Sequence, residues 1–127
     1  MAFTHLHVHT EYSLLDGSNK IKEYVARDKE LGMNSAAITD HGVMYGVIDF
    51  YRAARAEGIN PILGCEVYVA PNSRFDREIT GGDDRYYHLV LLAENNTGYA
   101  NLSKIVSRGF TEGYYYCLLY TSDAADE

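Results

Sequence analysis

The chain has 127 residues, of which 46% are hydrophobic and 23% charged, and a net charge of -7. That balance suits one globular domain or part of one and excludes a disordered chain. It also excludes a general nucleic-acid-coating surface, which is basic. It leaves open an active site that works on DNA, because a metal cluster brings its own positive charge and needs carboxylates to hold it. Cys65 and Cys117 form neither a disulfide framework nor a CxxC zinc pattern. No apolar run approaches the ~20 residues of a membrane span, so no membrane association is expected. The opening Met1-Ala2-Phe3-Thr4-His5 is unlike a secretory signal. A cytoplasmic location is therefore expected.

In chain order, Thr4 to Thr10 alternates His5, Leu6, His7, Val8 and His9, and this period of two predicts a strand with three histidines on one face. Leu14 to Gly17 reads as a turn. Ser18 or Asn19 is placed to cap a helix that runs to Leu31 and stops at Gly32. Ser35 to Thr39 predicts a short strand ending at Asp40-His41-Gly42, and Met44 to Glu57 a second helix stopped by Gly58. Pro61 to Ala70 reads as a strand, Pro71 to Arg85 as a polar loop, Tyr86 to Ala93 as a fourth strand and Thr97 to Arg108 as a third helix. Strands alternating with helices imply a largely parallel sheet or barrel, with the chemistry at the carboxyl ends of the strands. Four strands are too few to close a parallel barrel of about eight. On the first helix Asp28 falls within the stripe of Ile21, Tyr24, Val25 and Leu31, where an unpaired carboxylate is costly to bury.

The metal-competent residues gather at or near strand ends. His7 and His9 stand two apart, so both imidazoles point the same way and can grip one divalent cation. Asp16 follows in the turn, Asp40 and His41 end the second strand, Glu66 lies in the third and His88 early in the fourth. A lone strand histidine is more often an ordinary core or surface residue, Asp40 suits a helix cap, and Glu66 suits an exposed strand position. Their joint recurrence in an alternating pattern is what favours a metal site. Imidazoles and carboxylates without cysteine suit Zn²⁺, Mn²⁺ or Fe²⁺. His5 shares the face of His7 and His9 and fits a group that orients a ligand.

HLHVHTEYSLLDG (His5 to Gly17), AITDHG (Ala37 to Gly42), ILGCEVYVAP (Ile62 to Pro71) and YYHLVLLAENNTGYANL (Tyr86 to Leu102) resemble successive motifs of the polymerase and histidinol phosphatase (PHP) family. SLLDG, VYVAPNSRFDRE and NNTGYANL are similar to the branch in which this domain opens the DNA-synthesising subunit of the bacterial replicase. The resemblance covers about Ala2 to Tyr116. It implies an α/β fold, roughly the first half of a PHP-type (β/α) barrel. It implies metal ligation by His7, His9, Asp16, His41, Glu66 and His88, with Glu66 bridging metals and Asp40 and His5 in support. Zn²⁺ or Mn²⁺ is the expected cofactor, with Mg²⁺ at a polymerase site outside this chain. A metal-dependent phosphoesterase is expected, in the form of a 3′→5′ proofreading exonuclease whose nucleophile is a metal-activated water. The implied partners are DNA, a proofreading subunit and a sliding clamp.

Two other readings compete. One is a non-catalytic scaffold, stabilised by metal, that docks a separate proofreading subunit; metal-dependent phosphodiester cleavage separates it from the enzyme. The other is a stand-alone phosphatase of the histidinol phosphate type, which the length of the complete reading frame decides. The last eleven residues, Cys117 to Glu127, carry three acids and no base, so residues 1–116 have charge -7 minus -3, or -4. One back-translation of these residues resembles a transposase-based sequencing adapter read through in frame. They are therefore expected to be non-native, appended to a PHP domain truncated at residue 116.

Overall fold

The computed structural model describes residues 3–71, 73, 75, 86–115 and 118–123, with side chains described no further than residue 114. Among these the order is α1 (Ile21–Glu30), β1 (Ser35–Ile38), α2 (Val47–Glu57), β2 (Asn60–Ala70), β3 (Tyr87–Leu92), α3 (Asn96–Thr111), β4 (Tyr114–Tyr115) and β5 (Leu118–Asp123). The long strand β2 is the axis of the sheet. β1 runs parallel to its first part, with Ser35 opposite Asn60 and Ile38 opposite Leu63. β3 pairs with its later part, from Gly64 opposite Leu92 to Val69 opposite Tyr87. β5 lies parallel to the end of β2, and β4 is antiparallel to β5.

The expected alternation of strand and helix breaks at β3, which is antiparallel to β2. An antiparallel partner needs no crossover helix, and the sequence between these strands offered only a polar loop. The strand expected over Thr4 to Thr10 also does not form a ladder. The Thr39 N–H donates to the Val8 carbonyl at 2.8 Å. The Val8 N–H is then taken by Thr39 Oγ1 at 2.7 Å, so a side chain ends the pairing that a backbone carbonyl would continue. The segment bends at Leu6 and His7 and is held at the end of β1 by Val8, with His7 and His9 both turned toward Glu66.

α1 and α2 form because each presents an apolar stripe to the sheet. α2 buries Val47, Phe50 and Ala54, spaced at helical intervals. Gly58 ends it with φ 74°, a left-handed turn that glycine adopts without a Cβ clash. These residues join Ile21, Val25, Ala36, Ile38 and Ile59 in one core. Phe50 is fully buried, and burial of such a side chain stabilises by roughly 1.5–3 kcal/mol. A second core lies further along β2, where Cys65 and Val67 meet Leu102 and Val106 of α3. Asn95 caps α3 by accepting the Gly98 N–H at 3.0 Å. Neither Ser18 nor Asn19 caps α1: the N-cap is Lys20 without a side-chain bond. Asn19 is used elsewhere, donating from Nδ2 to the His9 carbonyl at 2.9 Å.

Asp28 is buried on α1, at 4% exposure, and its Oδ2 has no hydrogen-bond partner. Leu31 is exposed, so the apolar stripe ends before it. Burial pushes the Asp28 carboxyl above its ordinary 3.8, and the hydrogen bond with Tyr24 and the charge of His5 only partly oppose this. A carboxyl raised in the fold binds its proton more tightly there than in the unfolded chain. Its destabilising effect therefore grows as pH rises from about 4 through the folded value, and is constant above that. Asp28→Ala is expected to stabilise the fold by roughly 1–2 kcal/mol at neutral pH, since it removes an unsatisfied buried group. Urea melts at pH 7 and pH 4 check this: the gain should shrink at the lower pH.

Candidate metal centre

β2 and β3 place Glu66, Tyr68 and His88 on one face, because Tyr68 is opposite His88 and Glu66 is two residues before Tyr68. His7 and His9 arrive from the segment before Thr10, His41 from the end of β1, and Asp16 from the turn after residue 13. The six side chains meet around Glu66, which is 2% exposed. His9 Nε2 and His7 Nε2 lie 2.6 and 2.7 Å from Glu66 Oε2. His88 Nδ1 lies 2.7 Å from the other oxygen, Oε1. His41 Nε2 is 2.8 Å from Asp16 Oδ2, and His9 Nδ1 is 3.5 Å from that same oxygen.

The cluster divides into three overlapping sets whose donor atoms lie within 4.8 Å of one another: His7, His9 and Glu66; His9, Asp16 and His41; His41, Glu66 and His88. This donor set fits a divalent cation. The Nε2 atoms of His7 and His9 stand 3.2 Å apart while both face one carboxylate oxygen. A cation between them satisfies all three lone pairs at once. Among the described residues the buried Nδ1 of His41 has no hydrogen-bond partner, and it lies 3.5 Å from Glu66 Oε2, within reach of a shared cation. Burial raises the Glu66 carboxyl, but hydrogen bonds from His7 and His9 and the charges of His41 and His7 outweigh it, so the group stays below its usual range. Asp16 is held low chiefly by its hydrogen bond with His41. Both carboxylates are thus ionised and suited to a cation.

Asp40 is not among the converging donors. Its buried carboxylate accepts from the Thr10 N–H and hydroxyl and from the Ser13 hydroxyl, at 2.5, 2.7 and 2.8 Å. Ser13 Oγ in turn accepts the His41 N–H at 3.1 Å. Asp40 therefore fixes the segment that carries His7, His9 and Asp16 against the strand that carries His41. Gly17 closes the same turn: a Cβ there would lie 1.9 Å from the Thr10 carbonyl oxygen. Thr10 and Ser13 escaped the sequence reading because their role is set by a residue about thirty positions away, which no local periodicity marks. Tyr68 escaped it too; its ring stacks on His41 with centroids 6.3 Å apart and meets His88 edge-on at 5.0 Å. His5 packs edge-on against Phe3 at 4.7 Å, and among the described residues no hydrogen bond joins it to the six. Burial pushes the Cys65 thiol up to about 12, with the Asp40 charge adding to the effect, so it is no nucleophile at neutral pH.

Asp40→Asn is expected to weaken divalent-metal affinity about 10- to 100-fold, the usual loss when a partner that orients ligands is changed. Titration calorimetry with Zn²⁺ checks it, alongside a circular dichroism spectrum that should stay unchanged.

The chain covers 91% of itself in alignments with the DNA polymerase III alpha subunits of Treponema pallidum, at 52% identity, and Chlamydia pneumoniae, at 47%. It spans only about a tenth of the length of these relatives, 10% and 9% respectively. Among solved structures it is similar to an amidohydrolase from Chromobacterium violaceum with bound sulfate, at TM-score 0.56 and 25% identity. It has the fold of a candidate metal-dependent phosphoesterase from Bifidobacterium adolescentis, at TM-score 0.55 and 20% identity. It covers 84% and 85% of itself and 34% of each of those chains, as an incomplete barrel does. No helix among the described residues is long and apolar enough to cross a membrane. The PHP domain profile matches residues 5–126, and the chain belongs to the PHP domain family.

Proposed function

We propose that this domain is a metal-dependent phosphoesterase acting on phosphodiesters of DNA, as a 3′→5′ exonuclease. The observation that carries the reading is Glu66: one buried carboxylate offers its two oxygens to separate groups of imidazoles. That is the arrangement of a ligand shared between cations. His7, His9, Asp16, His41 and His88 would complete the ligand set, with Zn²⁺ or Mn²⁺ as the ions that suit imidazole and carboxylate together. When bound, such ions supply a water acidic enough to attack at neutral pH and offset the charge of the phosphate. The residues of the chain do the positioning: Asp40, Thr10 and Ser13 fix the turn, and Tyr68 fences the rings of His41 and His88.

In the whole protein, the relatives support a role in the DNA-synthesising subunit of a bacterial replicase. Mg²⁺ would act at its polymerase site, and DNA, a proofreading subunit and a sliding clamp would be its partners. We further propose that residues 117–127 are not native, even though the backbone of 118–123 pairs as β5. Whether Leu118 and Leu119 pack in a core lies outside the described side chains. An independent read of the gene tests this and should replace Cys117 onward with another continuation.

The purified protein, in the longest form its gene encodes, should release nucleotides from a 3′ end in Mn²⁺ and lose that activity with a chelator. His9→Ala is expected to lower the rate at least a hundredfold, since His9 faces both Glu66 and Asp16. Tight metal binding without hydrolysis would assign the cluster to stability and favour the scaffold reading.

A further inference from the structure

A groove of about 550 Å³ opens beside the metal centre, and Asp16 and His41 belong to both. Apart from Ser13, the rest of its described wall is apolar or aromatic, and includes Leu14, Leu15, Tyr45 and Phe110. Its size is that of a small-molecule site. Among the described residues no lysine or arginine lines it, and Asp16 is the one carboxylate. Its described wall thus offers a charged group only hydroxyls and the His41 ring, and favours an uncharged part of a ligand. Leu14 and Leu15 are 87% and 102% exposed on the turn just before Asp16, and Tyr45 is 65% exposed. Such a run of apolar surface, continuous with a ligand cluster, is costly to leave in water and suits a flat apolar guest.

Resting on the phosphoesterase reading, we propose that this groove is the subsite for the terminal nucleobase of a single-stranded DNA whose scissile phosphate sits at the cluster. The charge distribution separates the two halves of a nucleotide. The phosphate goes to the imidazole and carboxylate cluster with its cations, and the base goes to the apolar wall within one residue of it in the chain. Tyr45 and Phe110 supply ring faces on which any base stacks, with Leu14 and Leu15 closing over it. Stacking does not depend on a base's hydrogen-bonding edge, so the subsite accepts all four bases.

The test uses the full chain with Zn²⁺ and a single-stranded oligonucleotide ending in 2-aminopurine, joined by a phosphorothioate to resist cleavage. A matched strand with an abasic 3′ terminus is the control. Stacking should quench the 2-aminopurine fluorescence, and the strand with the base should bind more tightly than the abasic strand. In Tyr45→Ala that preference should fall about 5-fold or more, the loss expected for one base–aromatic contact, while Tyr45→Phe keeps it. Circular dichroism confirms that both variants fold. Equal binding of the two strands by the unaltered chain overturns the subsite. So does a change of oligomeric state in Tyr45→Ala, which would show a second copy covering the groove. Hydrolysis of bis(p-nitrophenyl) phosphate is measured in parallel. Its absence together with a base preference would sink the phosphoesterase reading alone, and its presence without that preference would sink the subsite alone.

Discussion

Burying a carboxylate inside a sheet is expensive unless partners compensate it. Glu66 sits at the centre of β2 with almost no exposure and yet remains ionised. The requirement for compensation explains why histidines from three separate parts of the chain turn toward one point. Without them the strand that anchors β1, β3 and β5 would hold an unpaired charge in its middle. With them, the fold has assembled a set of donors that could hold a cation as the condition of its own stability.

Asp40 meets the same requirement differently. It too is buried, but its three hydrogen bonds come from the hydroxyls of Thr10 and Ser13 and the Thr10 N–H. One acid therefore faces groups that can ligate a cation, and its neighbour in space faces groups that only hold the backbone. Asp28 is the contrast within the same chain. It is as buried as these, but one oxygen is without a partner, and the fold bears that cost on a helix away from the cluster. The three acids show that burial alone does not mark a functional residue; the chemistry of what surrounds it does.

Much of the local structure was legible from the residues. The terminal glycine of α2, the strand run of β2 and the helical span of α3 are each short-range signals. The alternation in His5 to Thr10 also placed His7 and His9 on one side, although no ladder forms there. The misses were of another kind. The direction of β3 and the cap of α1 both depend on which distant group competes for a hydrogen bond or a face, and a window of neighbouring residues carries no such information.

The sequence by itself determined the inventory: which residues can ligate, which segments are extended or helical, and that their chemistry is of the imidazole and carboxylate kind. Tertiary structure alone decided that the imidazoles converge on Glu66, that Asp40 bonds Thr10 and Ser13 instead of joining them, and that a largely apolar groove adjoins the cluster at Asp16 and His41. The reason is physical. Secondary structure follows from interactions a few residues apart, whereas this cluster is made by side chains as distant in the chain as His7, Glu66 and His88, whose distances are fixed only when the sheet has paired and the two cores have closed against it.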